Sequence, residues 1–278
     1  MEIKEVSMEW LNVLILGIVE GITEFLPISS TGHLILFHRW FQLTPESFQN
    51  AFDVCIQLGA ILAVVVLYFR RLNPFCKKDQ DGEKMTPRKR RKIVLLWARV
   101  LVAVLPAMVL GLLFDDLIDQ YLFSSKVVAI ALIVWGIVII FMERKAREPR
   151  FDNLEVLPYK IALGIGFFQC LAMIPGTSRS AATIIGAMVL GLSRVEAAEF
   201  SFFLAIPTML GATLLKVAKN LGSFTSGQWL LIAFGGLVSF ITAYLVIKAF
   251  MAYIKNHDFV PFGIYRIVLG LVVLLFFL

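Results

Sequence analysis

The stretch "VEGITEFLPISSTGH" (residues 19–33) decides how the chain is read. It sets two glutamates, a proline, a hydroxyl triplet and a histidine inside an otherwise apolar region. Around it, 59% of the 278 residues are hydrophobic and 17% are charged, where a soluble domain carries roughly 25% charged residues. Mean hydropathy is +0.83. Apolar runs recur at 51–69, 93–114, 127–142, 198–215, 228–252 and 262–278. Most approach the ~20 residues that a helix needs to cross the hydrocarbon. Lipid offers no partner to backbone N–H and C=O groups, so these runs predict an all-α, polytopic membrane protein with six transmembrane spans.

The net charge of +6 is concentrated rather than spread, because residues 70–92 alone hold ten Lys or Arg. A basic cluster between two spans predicts a cytoplasmic loop, in reach of anionic lipid. No aromatic-interleaved basic module accompanies it, so no nucleic-acid partner is expected. Loop 143–160 carries Arg144, Lys145, Arg147, Arg150 and Lys160, whereas 115–126 sets Asp115, Asp116 and Asp119 against Lys126. The first two loops are therefore predicted inside and the third outside. Lys255 supports an inner turn near 253–261, while Lys216 and Lys219 run mildly against the trend. Cys55, Cys76 and Cys170 form no CxxC pair, which argues against metal or disulfide chemistry through sulfur. The acidic start "MEIKEVSMEW" does not read as a removable signal peptide.

Two apolar segments, 10–43 and 159–192, are broken in their middles by "LPISSTGH" and "IPGTSRS". Such a break at membrane depth has to be buried in protein or line a wet cavity. The segments also resemble each other: "LGIVEGITEFLPISSTGHL" beside "LGIGFFQCLAMIPGTSRSAAT", at an offset of 147 to 148. This reads as a duplication inside one membrane domain (1–278), with repeats 10–126 and 127–278. Three spans lie between the broken segments, so the second copy is inverted. Each broken segment is predicted as a re-entrant helix–loop–helix, and the two tips are expected to meet within the membrane.

Glu20 and Glu24 lie at i and i+4, on one helix face. Each costs about 2.5–3.5 kcal/mol if left in lipid, so a metal ion, a cation or a wet cleft is expected to compensate them. The alternative is a helix end near the aqueous interface. Gly17 and Gly21 form an adjacent stripe that admits another helix backbone. After Pro27, Ser29, Ser30, Thr31 and Gly32 read as the start of a new helix, either an anion site or a plain hydroxyl cap. His33, three residues from Ser30, is in position to take a hydroxyl proton. His38, next to Arg39, reads as interfacial and His257 as a loop residue. In the second break Arg179 stands between Ser178 and Ser180. It suits either a phosphate or a structural pair with Glu20 or Glu24. Asp53, Gln57 and Glu199 are further polar residues in or near spans. Together the groups suit phosphoryl chemistry.

At these residues the sequence resembles the undecaprenyl-diphosphate phosphatases of the bacitracin-resistance type. The likeness runs through "GIVEGITEFLPISSTGH", "IQLGAILAVVV", "PGTSRSAATI", "EFSFFLAIPTMLGAT" and "FVPFGIYRIV", across essentially the whole chain. The resemblance implies a dimeric, inverted-repeat protein of the bacterial inner membrane. It implies removal of the terminal phosphate of a C55 polyprenyl diphosphate at the external leaflet, with a divalent cation (Mg2+ or Ca2+). Carried over by motif, the acidic pair falls on Glu20 and Glu24, the catalytic hydroxyl and imidazole on Ser30 and His33, and the phosphate-binding arginine on Arg179. Ser29, Thr31, Gly176, Thr177, Ser178 and Ser180 would complete the substrate site. Whether Ser30 forms a phospho-enzyme or His33 activates water stays open. A lipid flippase or transporter is the main alternative, since inverted repeats with broken helices also build transporters. A phosphatase of the acid-phosphatase type would need a further catalytic histidine in suitable context, and neither His38 nor His257 has it.

Overall fold

The computed structural model describes residues 2–122, 124–145, 148–219 and 224–276. The side chains of 2–7, 115–121 and 219 fall outside that description, as does Arg147. Among the described residues every regular element is a helix, with two isolated bridges and no strand. In chain order the helices are α1 (Glu2–Thr23), α2 (Ser30–Phe37), α3 (Glu46–Leu67), the single turn α4 (Phe69–Leu72), α5 (Pro87–Leu122) and α6 (Ser125–Arg144). The second half follows with α7 (Tyr159–Cys170), α8 (Arg179–Val189), α9 (Arg194–Lys219), α10 (Ser226–Ile254) and α11 (Val260–Phe276).

Each predicted apolar run lies within a helix or overlaps most of one. Among the described residues, five helices are long and apolar enough to cross a membrane: Glu46–Leu67, Pro87–Phe114, Ser125–Arg144, Arg194–Ala218 and Ser226–Ile254. Val260–Phe276 is a shorter apolar helix. The protein is thus an all-α, multi-pass membrane protein. Its outward faces fit a lipid environment: Leu230, Leu237, Ile241 and Leu245 form an exposed row along α10. A soluble protein would seldom expose such a continuous apolar face.

One expectation fails locally. The acidic stretch 115–126 is not a loop, because α5 continues to Leu122 and α6 begins at Ser125. The segment "LLFDDLIDQYL" keeps apolar residues at helical spacing, and that periodicity outweighs its three aspartates. With 36 residues, α5 is roughly 54 Å long at a rise of about 1.5 Å per residue, well beyond the hydrocarbon.

Small residues set the packing. In the interior, α10 runs against α1 and α3, α5 against α7, and α6 along α11. The Gly17 and Gly21 stripe meets α10: a methyl on Gly17 would lie 2.9 Å from the Gly235 carbonyl, and one on Gly21 would lie 2.7 Å from the Ser239 carbonyl. This is the close approach that the spacing predicted. Association of helices in lipid rests on such contacts, since burial of apolar surface gains little there.

The α3–α10 crossing gives a controlled test. A methyl on Gly59 would sit 2.1 Å from the Gly236 carbonyl, whereas one on Gly236 meets nothing within 4 Å. Gly59→Ala should destabilise the fold by about 1–3 kcal/mol through overpacking. Gly236→Ala should be neutral or slightly stabilising. Thermal unfolding in detergent, followed by circular dichroism, checks both; equal midpoints would contradict this packing.

Candidate active site

The first broken segment is α1, a turn over 24–29, and α2. The second is α7, a 3-10 turn at Leu171–Met173, a loop, and α8. Both second helices start in the same way. Ser29 caps α2 with φ 75°, and its Oγ accepts from Gly32 N; Ser178 caps α8 with φ 73°, and its Oγ accepts from Ala181 N. They are the described non-glycine residues with positive φ. Such backbone costs about 1–3 kcal/mol and persists only where its surroundings hold it.

What holds it is Arg266 on α11, a fully buried side chain. Its guanidinium donates to the Pro27 carbonyl at 3.1 Å, to Gly176 at 2.8 Å and to Thr177 at 3.0 Å. One side chain thereby ties both breaks together. A second link runs directly between them, from Ser180 Oγ to the Leu26 carbonyl at 2.8 Å.

The first residue of each second helix then faces one carboxylate. Ser30 Oγ donates to Glu24 Oε2 at 2.7 Å, and Arg179 Nη2 donates to Glu24 Oε1 at 3.0 Å. Arg179 is steadied from behind by the Ser201 carbonyl at 2.9 Å, and Ser201 Oγ lies 2.6 Å from Thr183 Oγ1. Two helix N-termini, with their positive dipole ends, therefore converge on a buried acid.

His33 is held elsewhere in the site. Its Nδ1 lies 2.7 Å from the Ser29 carbonyl and its Nε2 2.7 Å from the Tyr265 hydroxyl, with the two rings parallel at 5.6 Å. The carbonyl can only accept, so Nδ1 carries a proton. In the neutral ring, Nε2 then accepts from Tyr265. The sequence reading put His33 on the Ser30 proton; in the structure that proton points at Glu24.

Several polar atoms are buried without a hydrogen-bond donor or acceptor: both carboxylate oxygens of Glu20, Arg179 Nε and Thr177 Oγ1. Glu20 is completely buried, and its charged neighbours are Glu24, Asp53 and Arg179. Glu20 and Arg179 feel each other's charge, and orphaned polar atoms on two such neighbours mark a place for a ligand. Among the described residues no three His, Cys, Asp or Glu form a ready-made cation cage. The free Glu20 oxygens beside Glu24 nevertheless fit a divalent cation that takes its remaining ligands from phosphate and water.

The family model described as "Bacitracin resistance protein BacA" matches residues 13–272. The chain belongs to this family. It is 54% identical over 271 residues to undecaprenyl-diphosphatase 1 of Clostridioides difficile (strain 630), covering 97% of each chain. It is 51% identical over 276 residues to an undecaprenyl-diphosphatase of Limosilactobacillus fermentum, covering 97% of this chain and 98% of that one. A third such protein, from Fusobacterium nucleatum, is 51% identical over 272 residues, covering 94% and 98%.

Within this BacA-family chain, the structure brings Glu20, Glu24, Ser29, Ser30, His33, Thr177, Ser178, Arg179 and Ser180 into one buried region around the two breaks. Gly176 serves through its carbonyl. Thr31 follows Ser30 in the first turn of α2 and is half-buried. Arg266 and Tyr265 were missed. Both stand in the quoted "FVPFGIYRIV", where a lone arginine in an apolar helix was the available signal. His38 is also not simply interfacial: it holds Asp53 at 2.7 Å.

Arg266→Met should strip three buried carbonyls of their donor, each loss costing about 1–3 kcal/mol. We expect it to lower the unfolding midpoint more than any single substitution at Ser30 or Arg179, with Arg266→Lys between it and wild type. An unchanged midpoint in Arg266→Met would contradict the tie. At the α2 cap, Ser29→Ala should cost more than Ser29→Gly, because glycine relieves the positive φ while both lose the cap.

Proposed function

We propose that this protein hydrolyses undecaprenyl diphosphate to undecaprenyl phosphate and inorganic phosphate, recycling a lipid carrier for bacterial cell-wall synthesis and conferring bacitracin resistance. The observation that carries this reading is Glu24 held between Ser30 and Arg179, at 2.7 and 3.0 Å, each from a different half of the chain. The undecaprenyl-diphosphatases at about half identity over nearly the whole chain support the substrate.

An incoming diphosphate competes with Glu24 for Arg179, whose unused Nε supplies a further donor. Freed from that pair, Glu24 accepts the Ser30 proton as Ser30 Oγ attacks the terminal phosphorus. The new O–P bond forms as the bond to the bridging oxygen breaks, and the polyprenyl phosphate leaves with its electron pair. Arg179 and the two helix N-termini offset the charge on the equatorial oxygens. Water then cleaves the phosphoserine. Tyr265 passes its hydroxyl proton to His33 Nε2 as it takes the proton of that water, and Ser30 regains its own proton from Glu24. Glu20 and Glu24 would hold a divalent cation, Mg2+ or Ca2+, which when bound neutralises phosphate charge.

The two broken segments further support an inverted duplication, 10–126 and 127–278, with α11 as a sixth span and the breaks as re-entrant tips. Ser29 and Ser178 share one cap geometry. Gly17 and Gly166 each abut a carbonyl of a long helix from the other half, at Gly235 in α10 and Ala103 in α5. Arg266 bonds the Pro27 and Gly176 carbonyls. Each of these pairs is 149 positions apart, one or two more than residue likeness suggested. In this reading the protein is a homodimer of the bacterial inner membrane, with the site open to the external leaflet.

Phosphate release from a C55 diphosphate by the purified protein is the direct test. Ser30→Ala and Arg179→Ala should each lose at least ~100-fold in kcat, the scale of a lost nucleophile or charge donor, with Ser30→Ala keeping near-native thermal stability. Rapid quenching with substrate labelled in the terminal phosphate should trap label on Ser30, and more of it in His33→Ala. Wild-type turnover in Ser30→Ala would overturn the assignment. Chelation should abolish release, and Glu20→Gln should raise the cation concentration needed for half-activity about tenfold or more.

A further inference from the structure

At one end of the bundle lies a cavity of about 600 Å3, where α6 ends, α8 turns into α9, and α10 ends. Lys145, Arg150, Arg194 and Lys255 line it, and Glu148 is the one carboxylate among the described lining residues. It is separate from the active site. Arg179 opens α8 and Val189 closes it, and eleven helical residues span roughly 15 Å.

The cations are fixed in different ways. Arg194 forms a two-pronged pair with Glu143, a carboxylate that also accepts from Phe259 N. Arg150 is set by its backbone: Arg150 N and Phe151 N both donate to the Gly191 carbonyl, at 2.8 and 3.0 Å, and Ser193 N returns a bond to Phe151 at 3.0 Å. Gly191 turns at φ +103° beneath the Arg150 stem. Lys145 rests over the Phe141 ring at 4.5 Å. Met188, Val189, Leu190 and Ile254 supply apolar lining. Val189 is 46% exposed, so that apolar lining continues onto the outer surface of the protein.

We propose that this cavity binds the phosphate headgroup of an acidic glycerophospholipid, with an acyl chain running out along the Val189 side. Charge complementarity selects an anion: four basic groups face one acid among the described lining residues, Glu143 and Asp258 act on Arg194, and Glu199, which acts on Lys255, is already paired with Arg71. The apolar lining selects a lipid over a free anion. Basic pockets between spans at the cytoplasmic boundary take phospholipid headgroups for these reasons. The site lies on loops that the basic-residue rule puts inside, away from the chemistry at the breaks.

The test uses the purified full-length protein in detergent, with short-chain phosphatidylglycerol, short-chain phosphatidylcholine or inorganic phosphate as probe. Phosphatidylglycerol should raise the unfolding midpoint by several degrees, at concentrations at least tenfold below those at which the other two act. The triple variant Lys145→Gln, Arg150→Gln, Lys255→Gln should need at least tenfold more phosphatidylglycerol while its turnover stays within twofold of wild type. Arg194 is left intact because its loss would strand Glu143 as a buried charge. Should the triple variant fold poorly, native mass spectrometry of wild type decides: retained phosphatidylglycerol with no retained phosphatidylcholine supports the site. Equal effects of the two lipids, an equal effect of inorganic phosphate, or an unaltered response in the triple variant would overturn it.

Discussion

A backbone that stops being helical inside a membrane protein leaves carbonyls without partners, and in hydrocarbon no water replaces them. Here two such interruptions are stabilised by one buried cation. Arg266 reaches three carbonyls from two breaks, which a lysine's point charge or a single hydroxyl could not do with the same rigid fork. No carboxylate is among its hydrogen-bond partners; the carbonyl dipoles compensate the charge. Because the carbonyls belong to both halves, Arg266 fixes the distance between the loops as well as their shapes. The positions of Ser30, Glu24 and Arg179 follow from that distance.

The site that results is deliberately incomplete. Glu24 is satisfied by Ser30 and Arg179, but Glu20 has no donor at either oxygen, and Arg179 keeps an idle Nε. A fold selected for stability alone would replace these groups, since each unpartnered buried polar group costs about 1–3 kcal/mol. The same deficit is useful to an anion carrying a cation, which can satisfy both signs at once. The long apolar tail of such a substrate can stay in lipid while its head enters the polar gap. Strain is kept in the same place, at Ser29 and Ser178, where positive φ aims the first turn of each helix at the acid.

Close helix contacts make this arrangement rigid. Gly17 and Gly21 bring α10 against the helix that carries both glutamates, so the acids cannot turn toward lipid without losing that contact. On the other half, Ser201 on α9 steadies Arg179 through its carbonyl and Thr183 through its hydroxyl. Packing and chemistry are thus carried by neighbouring residues of the same helices. Substitutions in the glycine stripe should consequently be felt in the site as well as in the fold.

Much of this was legible in the residues themselves. Runs of apolar side chains near membrane length determined the helices, because lipid permits few other structures. The glutamates in "VEGITEF", the glycine stripe beside them and the broken "IPGTSRS" each marked a local physical anomaly, and each anomaly lies at the site. Where local pattern and composition competed, composition misled: the aspartates of 115–119 suggested a loop, yet helical periodicity prevailed. Only the tertiary structure decided which groups meet. Ser30 bonds Glu24 rather than His33, Tyr265 takes His33, Asp53 takes His38, and Arg266 spans both breaks. Such pairings join residues up to 239 positions apart. They depend on how helices cross in three dimensions, which spacing along the chain does not encode.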